Sequence, residues 1–378
     1  MFNLIKNLLF STILFLLFSC NSTIENTISS YDQQSISPTE LDFFIHRQMD
    51  SLNIPAISIA IINDAKTVYH RAIGVNHLIK KEPINEHSIF EAASLSKPIF
   101  AFFILKLSEK GFIDLDRPLY FYLPDEKMER DQRYKEVSAR SVLRHTSGFT
   151  NWRWFDSHPE GVEIDRGDFF MVSEPNTKFD YSGEAYQYLA RVIAHLCFIN
   201  MNELGDLFSK EISTPLEMEH AYFVWDDFLM EHKVYGHKGN KPQNRNGGGG
   251  LPSHNSLIFS AAGGLKTEAK NYAKFINTIL LQKGLSKKTF KDMLSPQVEL
   301  SKESSNYLEN GITAWGAGFG IQPMESDTIY RHGGNNSDFQ SEMAFSLNQK
   351  FGYVFFVNCD KGKEFNKRLE VFLGMQKK

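Results

Sequence analysis

The sequence predicts an α/β (α+β) fold. Strands from the two chain ends make one antiparallel sheet flanked by helices, and a mostly helical middle lobe lies at about 114–250. Three observations predict it. Near the start, the β-branched runs AISIAIIND and AKTVYHRAIG meet at Asn63-Asp64 and read as a hairpin. Near the end, FGIQPME, TIYRHGG, FQSEMAFSL and FGYVFFVN follow one another as strand-like segments. Between these groups, stretches such as EAYQYLARVIAHLCF carry apolar residues at helical spacing. Strands at both ends with helices in between suggest one sheet with an inserted lobe.

Each element has its own signal. Ser37-Pro38-Thr39-Glu40 is a helix start, and LDFFIHRQMDSL continues it with apolar residues on one face. After the hairpin, Ser94 opens a second helix, whose run IFAFFILKL is apolar all round. AKNYAKFINTILL is helical, and KEFNKRLEVFLG closes the chain as a last helix. GHKGNKPQNRNGGGGLPS, between the lobe and the second group of strands, is a long Gly/Asn/Pro loop. Its four glycines, 247–250, are followed by no Gly-Lys-Ser/Thr, so a phosphate loop is rejected.

Composition excludes several classes. The chain is 42% hydrophobic and 23% charged, well away from disordered compositions. Its 32 phenylalanines supply a large core. A net charge of −4 with both signs interspersed gives no basic patch for nucleic acid. At 378 residues the chain fits two or three domains, or one large unit with an insertion.

Residues 1–20, MFNLIKNLLFSTILFLLFSC, differ from the rest. Lys6 is a positive n-region, and Leu8 to Phe18 is too short for a comfortable membrane span but suits a signal h-region. Leu17-Phe18-Ser19-Cys20 resembles a bacterial lipobox, with Phe18 bulkier than usual. The expectation is a signal peptide over 1–19, cleavage before Cys20, and lipidation of the Cys20 thiol. A plain signal peptide or a short anchor is the alternative. Residues 20–36, polar beyond Cys20, read as a flexible tether, and 37–378 as the functional domain. The expected location is the bacterial cell envelope, with the membrane contacted through the lipid. Cys197 and Cys359 sit in apolar runs, where buried free thiols are the default, although an oxidising compartment permits a disulfide. His232 and His237 lie in a loop-like stretch without metal-ligand spacing.

The chemistry starts at FEAASLSKPIF. Residues i and i+3 share a helix face, so Lys97 stands beside the Ser94 hydroxyl. Pro98 falls in the first turn, where a missing N–H costs little. The positive helix end and Lys97 both favour an anionic hydroxyl, and a desolvated Lys97 can serve as base. Taken alone, the pair reads first as a capping Ser and a surface Lys, since this spacing recurs by chance in many proteins. The surroundings change that weighting. VSARSVLRHTSGFT, KFDYSGEAYQYL, SAAGGLKTEAKNYAKF and RHGGNNSDF follow in order, supported by GFIDLD before Tyr122-Leu123-Pro124, by Pro215-Leu-Glu-Met218, and by the glycines between Trp315 and Gly320.

With these motifs in this order, the chain resembles the penicillin-recognising serine hydrolases. This β-lactamase-related family includes class C β-lactamases, DD-peptidases and carboxylesterases, and the likeness runs from about Ile54 to Lys367. The resemblance implies a β-lactamase/penicillin-binding-protein-like fold with Ser94 as nucleophile and Lys97 as its partner. It makes Tyr181, in Tyr181-Ser182-Gly183, the general base, with Lys97 close enough to stabilise its phenolate. It puts His332-Gly333-Gly334 on the strand lining the cleft, with the backbone N–H groups of Ser94 and Asn335 as oxyanion hole. Two departures matter. Gly183 replaces an Asn that would bind a substrate amide, and His332 replaces a permanently charged Lys with a group only partly charged near neutral pH. Both count against an efficient β-lactamase. Asp338 stands where many relatives carry Gly, which would reshape the loop beyond Asn335. Ser147, in His145-Thr146-Ser147-Gly148, is the rival nucleophile, but it lacks the first Gly of a nucleophile elbow, so this segment reads as structural and His145 as packed.

The resulting expectation is a monomeric serine hydrolase that forms an acyl-enzyme on Ser94. Its substrate would be a small molecule or a peptide: an ester, or the amide of a D-amino-acid peptide. No cofactor, metal or nucleic acid is called for. A β-lactamase is the alternative within the class, and a lipoprotein that binds cell-wall peptides with little turnover is the alternative outside it. The segments 151–176 and 226–258, with Trp152 and Trp154, are expected to set specificity.

Overall fold

A computed structural model describes residues 27–154, 156, 165–243 and 258–376. The signal segment with Cys20, the four glycines and parts of both specificity segments lie outside the described residues. Helix α1, Pro38–Leu52, starts as its sequence dictates. Ser37 caps it by accepting from the Glu40 N–H, Glu40 caps Ser37 in return, and Pro38 occupies the first turn. Asn53, left-handed at φ 53°, ends it.

Strands β1 (Ala56–Asn63) and β2 (Lys66–Gly74) then form the predicted hairpin. Helix α2 (Ser96–Glu109) follows a single tight turn, Ala93–Leu95. Helix α3 is Gly183–Leu196 and α4 is Ala269–Leu280. The last part of the chain runs β3 (Val298–Glu299), α5 (Ser305–Asn310), β4 (Ala314–Trp315), β5 (Gly320–Pro323), β6 (Thr328–Asn335), β7 (Gln340–Ser346), β8 (Phe351–Val357) and α6 (Gly362–Phe372). Among the described residues between 114 and 243, strands are only two residues long and helices dominate.

The sheet has eight strands in the order β3-β4-β5-β6-β7-β8-β1-β2, with every neighbour antiparallel. The two chain ends meet where Val357 on β8 pairs with Ile57 on β1. This is the architecture the sequence predicts. All seven residues of β8 are buried because both sheet faces are covered. One face packs on α2, α4 and the helical middle, the other on α1 and α6. Helix α2 is central, with its residues from Ser96 to Leu105 all buried, as its uniformly apolar run requires.

Two expectations need correction. The tether does not reach residue 36. Ile28–Ser29 pairs with Ser35–Ile36, Ile28 is fully buried, and the Tyr31 N–H donates to the Leu373 carbonyl at 2.8 Å. Ile28, Tyr31 and Ile36 are apolar anchors within an otherwise polar stretch, and they join the core between α1, α6 and the sheet. Ser94 does not open an α-helix either. It sits in the turn before α2, because Ala93 takes a left-handed conformation at φ 48° and breaks the helical path.

Candidate active site

The turn carrying Ser94 is held from below by Ser96. Its buried hydroxyl donates to the Ala93 carbonyl at 2.6 Å and accepts from the Leu265 N–H at 2.9 Å. Strand β6 closes on this turn from one side. A Cβ at Gly334 would meet the Ala92 carbonyl at 2.5 Å, so only glycine lets the strand come this near. Strand β5 pairs with β6 no further than Arg331, which leaves the edge of β6 from His332 to Asn335 facing a cavity. The cavity holds about 480 Å³ and is lined by Ser94, Tyr181, Trp315, His332, Gly333, Gly334 and Asn335, among others. Six of the sequence-predicted positions therefore share one cleft.

Lys97 is fully buried directly behind the nucleophile. Its Nζ lies 3.2 Å from Ser94 Oγ and 2.7 Å from the Ala262 carbonyl oxygen. Nζ also stands 4.6 Å from the Tyr181 ring centre and 5.6 Å from that of Tyr186. Burial without a carboxylate partner brings its pKa down to about 7. Burial pushes the Tyr181 phenol well above its ordinary value, and a hydrogen bond with Ser94 opposes this only in part. The site thus disfavours the phenolate and makes a neutral amine available.

His332 is 3% exposed. Burial, then the neighbouring Lys97, brings its pKa down to about 3. It is therefore neutral at pH 7, rather than partly charged as its residue type suggests. Its Nδ1 lies 2.8 Å from the Gly333 carbonyl oxygen, which puts the proton on Nδ1 and leaves Nε2 as an acceptor. His332 Nε2 has no partner among the described residues, and neither has Trp315 Nε1.

Gly183 is the predicted binding position that the structure does not bring to the cavity. It is the first residue of α3, its N–H donates to Asn151 Oδ1 at 2.9 Å, and a Cβ there would meet the Trp152 ring at 2.5 Å. Trp152 thus packs where a side chain at 183 would stand. Trp154 lies across Gly167 and is 55% exposed. Asp338 is buried against Gly236, with both carboxylate oxygens unpartnered among the described residues, and burial raises its pKa to about 6.

The rival Ser147 is fully buried and accepts from the Phe149 N–H at 3.2 Å. His145 stacks on Tyr181 with ring centres 4.2 Å apart, and its Nδ1 accepts from the Ser182 N–H at 3.1 Å. Cys197 and Cys359 are free thiols. His237 is buried, with its ring nitrogens 3.2 Å from the Leu78 N–H donor and 3.0 Å from the Asn358 carbonyl. Sequence reasoning missed Ser96, the Ala262 carbonyl and Tyr186. They act through contacts far apart in the chain, and no local motif marks them.

Comparison with known proteins bears on the family and the fold. The family model described as Beta-lactamase matches residues 41–373. Penicillin-binding protein 4* of Bacillus subtilis (strain 168) is 35% identical over 137 residues, which is 33% of this chain and 29% of that protein. Protein flp of Staphylococcus aureus (strain MW2) is 21% identical over 213 residues, 53% of this chain and 41% of that protein. These matches thus span less than half the length of either relative. Among solved structures, the octameric penicillin-binding protein homologue from Pyrococcus abyssi has a TM-score of 0.71 at 20% identity, covering 90% of this chain and 78% of that one. The class C β-lactamase from Rhodobacter sphaeroides has a TM-score of 0.69 at 15% identity, covering 88% of this chain and 98% of that one. The β-lactamase/D-alanine carboxypeptidase from Pseudomonas syringae also scores 0.69, at 16% identity, covering 90% and 99%. At these identities the structural likeness concerns the fold.

Proposed function

The chain belongs to the beta-lactamase family, and on that premise we propose that it is a serine hydrolase that acylates Ser94 with an ester or amide substrate. The observation that carries this reading is Lys97 Nζ, 3.2 Å from Ser94 Oγ in a setting that favours the neutral amine. Neutral Lys97 donates to the Ala262 carbonyl and takes the Ser94 proton as Oγ attacks the substrate carbonyl. The N–H groups of Ser94 and Asn335 stabilise the oxyanion. The Tyr181 hydroxyl, bonded to Ser94, passes a proton to the leaving group and is reprotonated from Lys97. Water then attacks the acyl-enzyme, gives its proton back along the same route, and releases Ser94. Tyr181 is thus a relay that stays a phenol, with Lys97 as the base.

Neutral His332 favours esters and amides without a carboxylate over β-lactams, because it has no positive charge to hold one. The lipobox pattern supports a domain exported and lipid-anchored at Cys20 in the cell envelope. The test is the intact mass of residues 21–378 after exposure to an activated nitrophenyl ester. An acyl adduct or turnover is expected in the parent and is lost in Ser94→Ala. A folded parent with neither would favour a binding lipoprotein instead.

A further inference from the structure

Behind the open edge of β6 the cavity reaches a buried charge cluster that the hydrolytic residues do not use. Side chains alternate along the strand. His332 and Gly334 face the Ser94 turn, while Arg331 and Gly333 face α6. Glu342 pairs with Gly333 from β7 and shares the α6 side. Arg331 is only 2% exposed and lies between two carboxylates. Its guanidinium donates to Glu370 Oε1 at 2.6 Å and to Glu342 Oε1 at 3.2 and 3.3 Å.

The two carboxylates are not equivalent. Glu370 also accepts from the Tyr353 hydroxyl at 2.8 Å, from Asn366 at 3.1 Å and from Gln376. Glu342 uses Oε1 for both Arg331 contacts. Its Oε2 has no hydrogen-bond partner among the described residues and stands beside Gly333, where a Cβ would come within 2.6 Å. One guanidinium against two carboxylates leaves one negative charge short of a partner, on a Glu342 side chain that is 18% exposed to the cavity. Burial and the nearby Glu370 accordingly push the Glu342 pKa up to about 7. Of the other cations lining this cavity, Lys363 is paired with Glu309 at 2.6 Å, and Lys367 is exposed at its mouth. His332, on the other face of the strand, turns its ring toward Tyr181 and Trp315 and takes no part in this end of the cavity.

We propose that this end of the cavity is a subsite for a protonated primary amine of the substrate, with Glu342 as its counter-ion. The edge of β6 left unpaired beyond Arg331 lets one cavity reach both Ser94 and Glu342, whose carboxylate lies over Gly333. The amine completes the charge balance that Arg331 leaves short, and its N–H group meets the open Oε2 of Glu342. The proposal rests on the hydrolase reading for its catalytic meaning, but the binding itself can be measured separately.

The experiment compares n-butylammonium with n-butanol as competitors of a neutral nitrophenyl ester, at constant ionic strength. The same two probes are titrated calorimetrically into Ser94→Ala. The amine is expected to compete at least about 10-fold better than the alcohol, a difference within reach of one hydrogen-bonded charge pair. Glu342→Gln should remove that preference, and Glu342→Asp should keep most of it. Equal competition by the two probes would overturn the subsite. So would a preference unchanged in Glu342→Gln, or one matched by potassium chloride. If the parent hydrolyses no ester, the hydrolase reading fails, and selective amine binding to Ser94→Ala still decides the subsite.

Discussion

Lys97 shows how one residue takes its role from its surroundings. A lysine in water keeps its charge to above pH 10. Here no carboxylate faces it, and its neighbours are the Ser94 hydroxyl, the Ala262 carbonyl and the faces of Tyr181 and Tyr186. The neutral form is the active base, so activity should rise with pH through about 7 and level off above it. The pH profile of kcat/KM on a neutral ester checks this. His332 titrates far lower, at about 3, and should add no step between pH 5 and 9. Lys97→Arg keeps the charge at every pH, so it should lose the rising limb and at least about 10²-fold in rate. A limb that survives in Lys97→Arg would assign the base elsewhere.

At the scale of elements, the start of α3 and the edge of β6 decide what the cleft can hold. Ser182 caps α3 by accepting from the Ala185 N–H at 3.0 Å, and Gly183 follows with Trp152 packed over it. Restoring an amide side chain with Gly183→Asn would drive it into the Trp152 ring. Such overpacking costs about 1–3 kcal/mol, which a lower midpoint of denaturation would show. Adding Trp152→Ala should recover much of the loss, because the new side chain then has room. Equal loss in the single and double variants would show that Trp152 is not the obstacle. The motif Tyr181-Ser182-Gly183 revealed the departure at its third residue. It could not reveal the Trp152 ring packed over that position, because Trp152 lies in a separate segment.

For the whole molecule, the sheet joins residues far apart in sequence, and the N-terminal segment seals one of its faces. Residues 28–36 contribute Ile28, Tyr31 and Ile36 to the core under α1 and α6. Removing residues 1–26 should leave the domain's stability unchanged. Removing 1–36 exposes that patch and should cost at least the roughly 1.5–3 kcal/mol of one buried isoleucine. Urea denaturation of the two truncated proteins checks this, and identical midpoints would restore the tether reading to the whole stretch.

Much of this organisation is local and therefore legible in the chain. The capping box at Ser37 and Glu40, the hairpin around Asn63-Asp64, the all-apolar α2 and the late strands each depend on neighbours a few residues away. The spacing of Ser94 and Lys97 is likewise local, and the order of motifs was enough to associate them with Tyr181 and His332. What only the tertiary structure decided is charge state and access. Whether Lys97 and His332 are charged depends on burial by segments far away in the chain, since desolvation is a property of the surroundings and not of residue type. The same holds for Gly183, kept from the cleft by Trp152, and for Glu342, brought to it along the unpaired edge of β6.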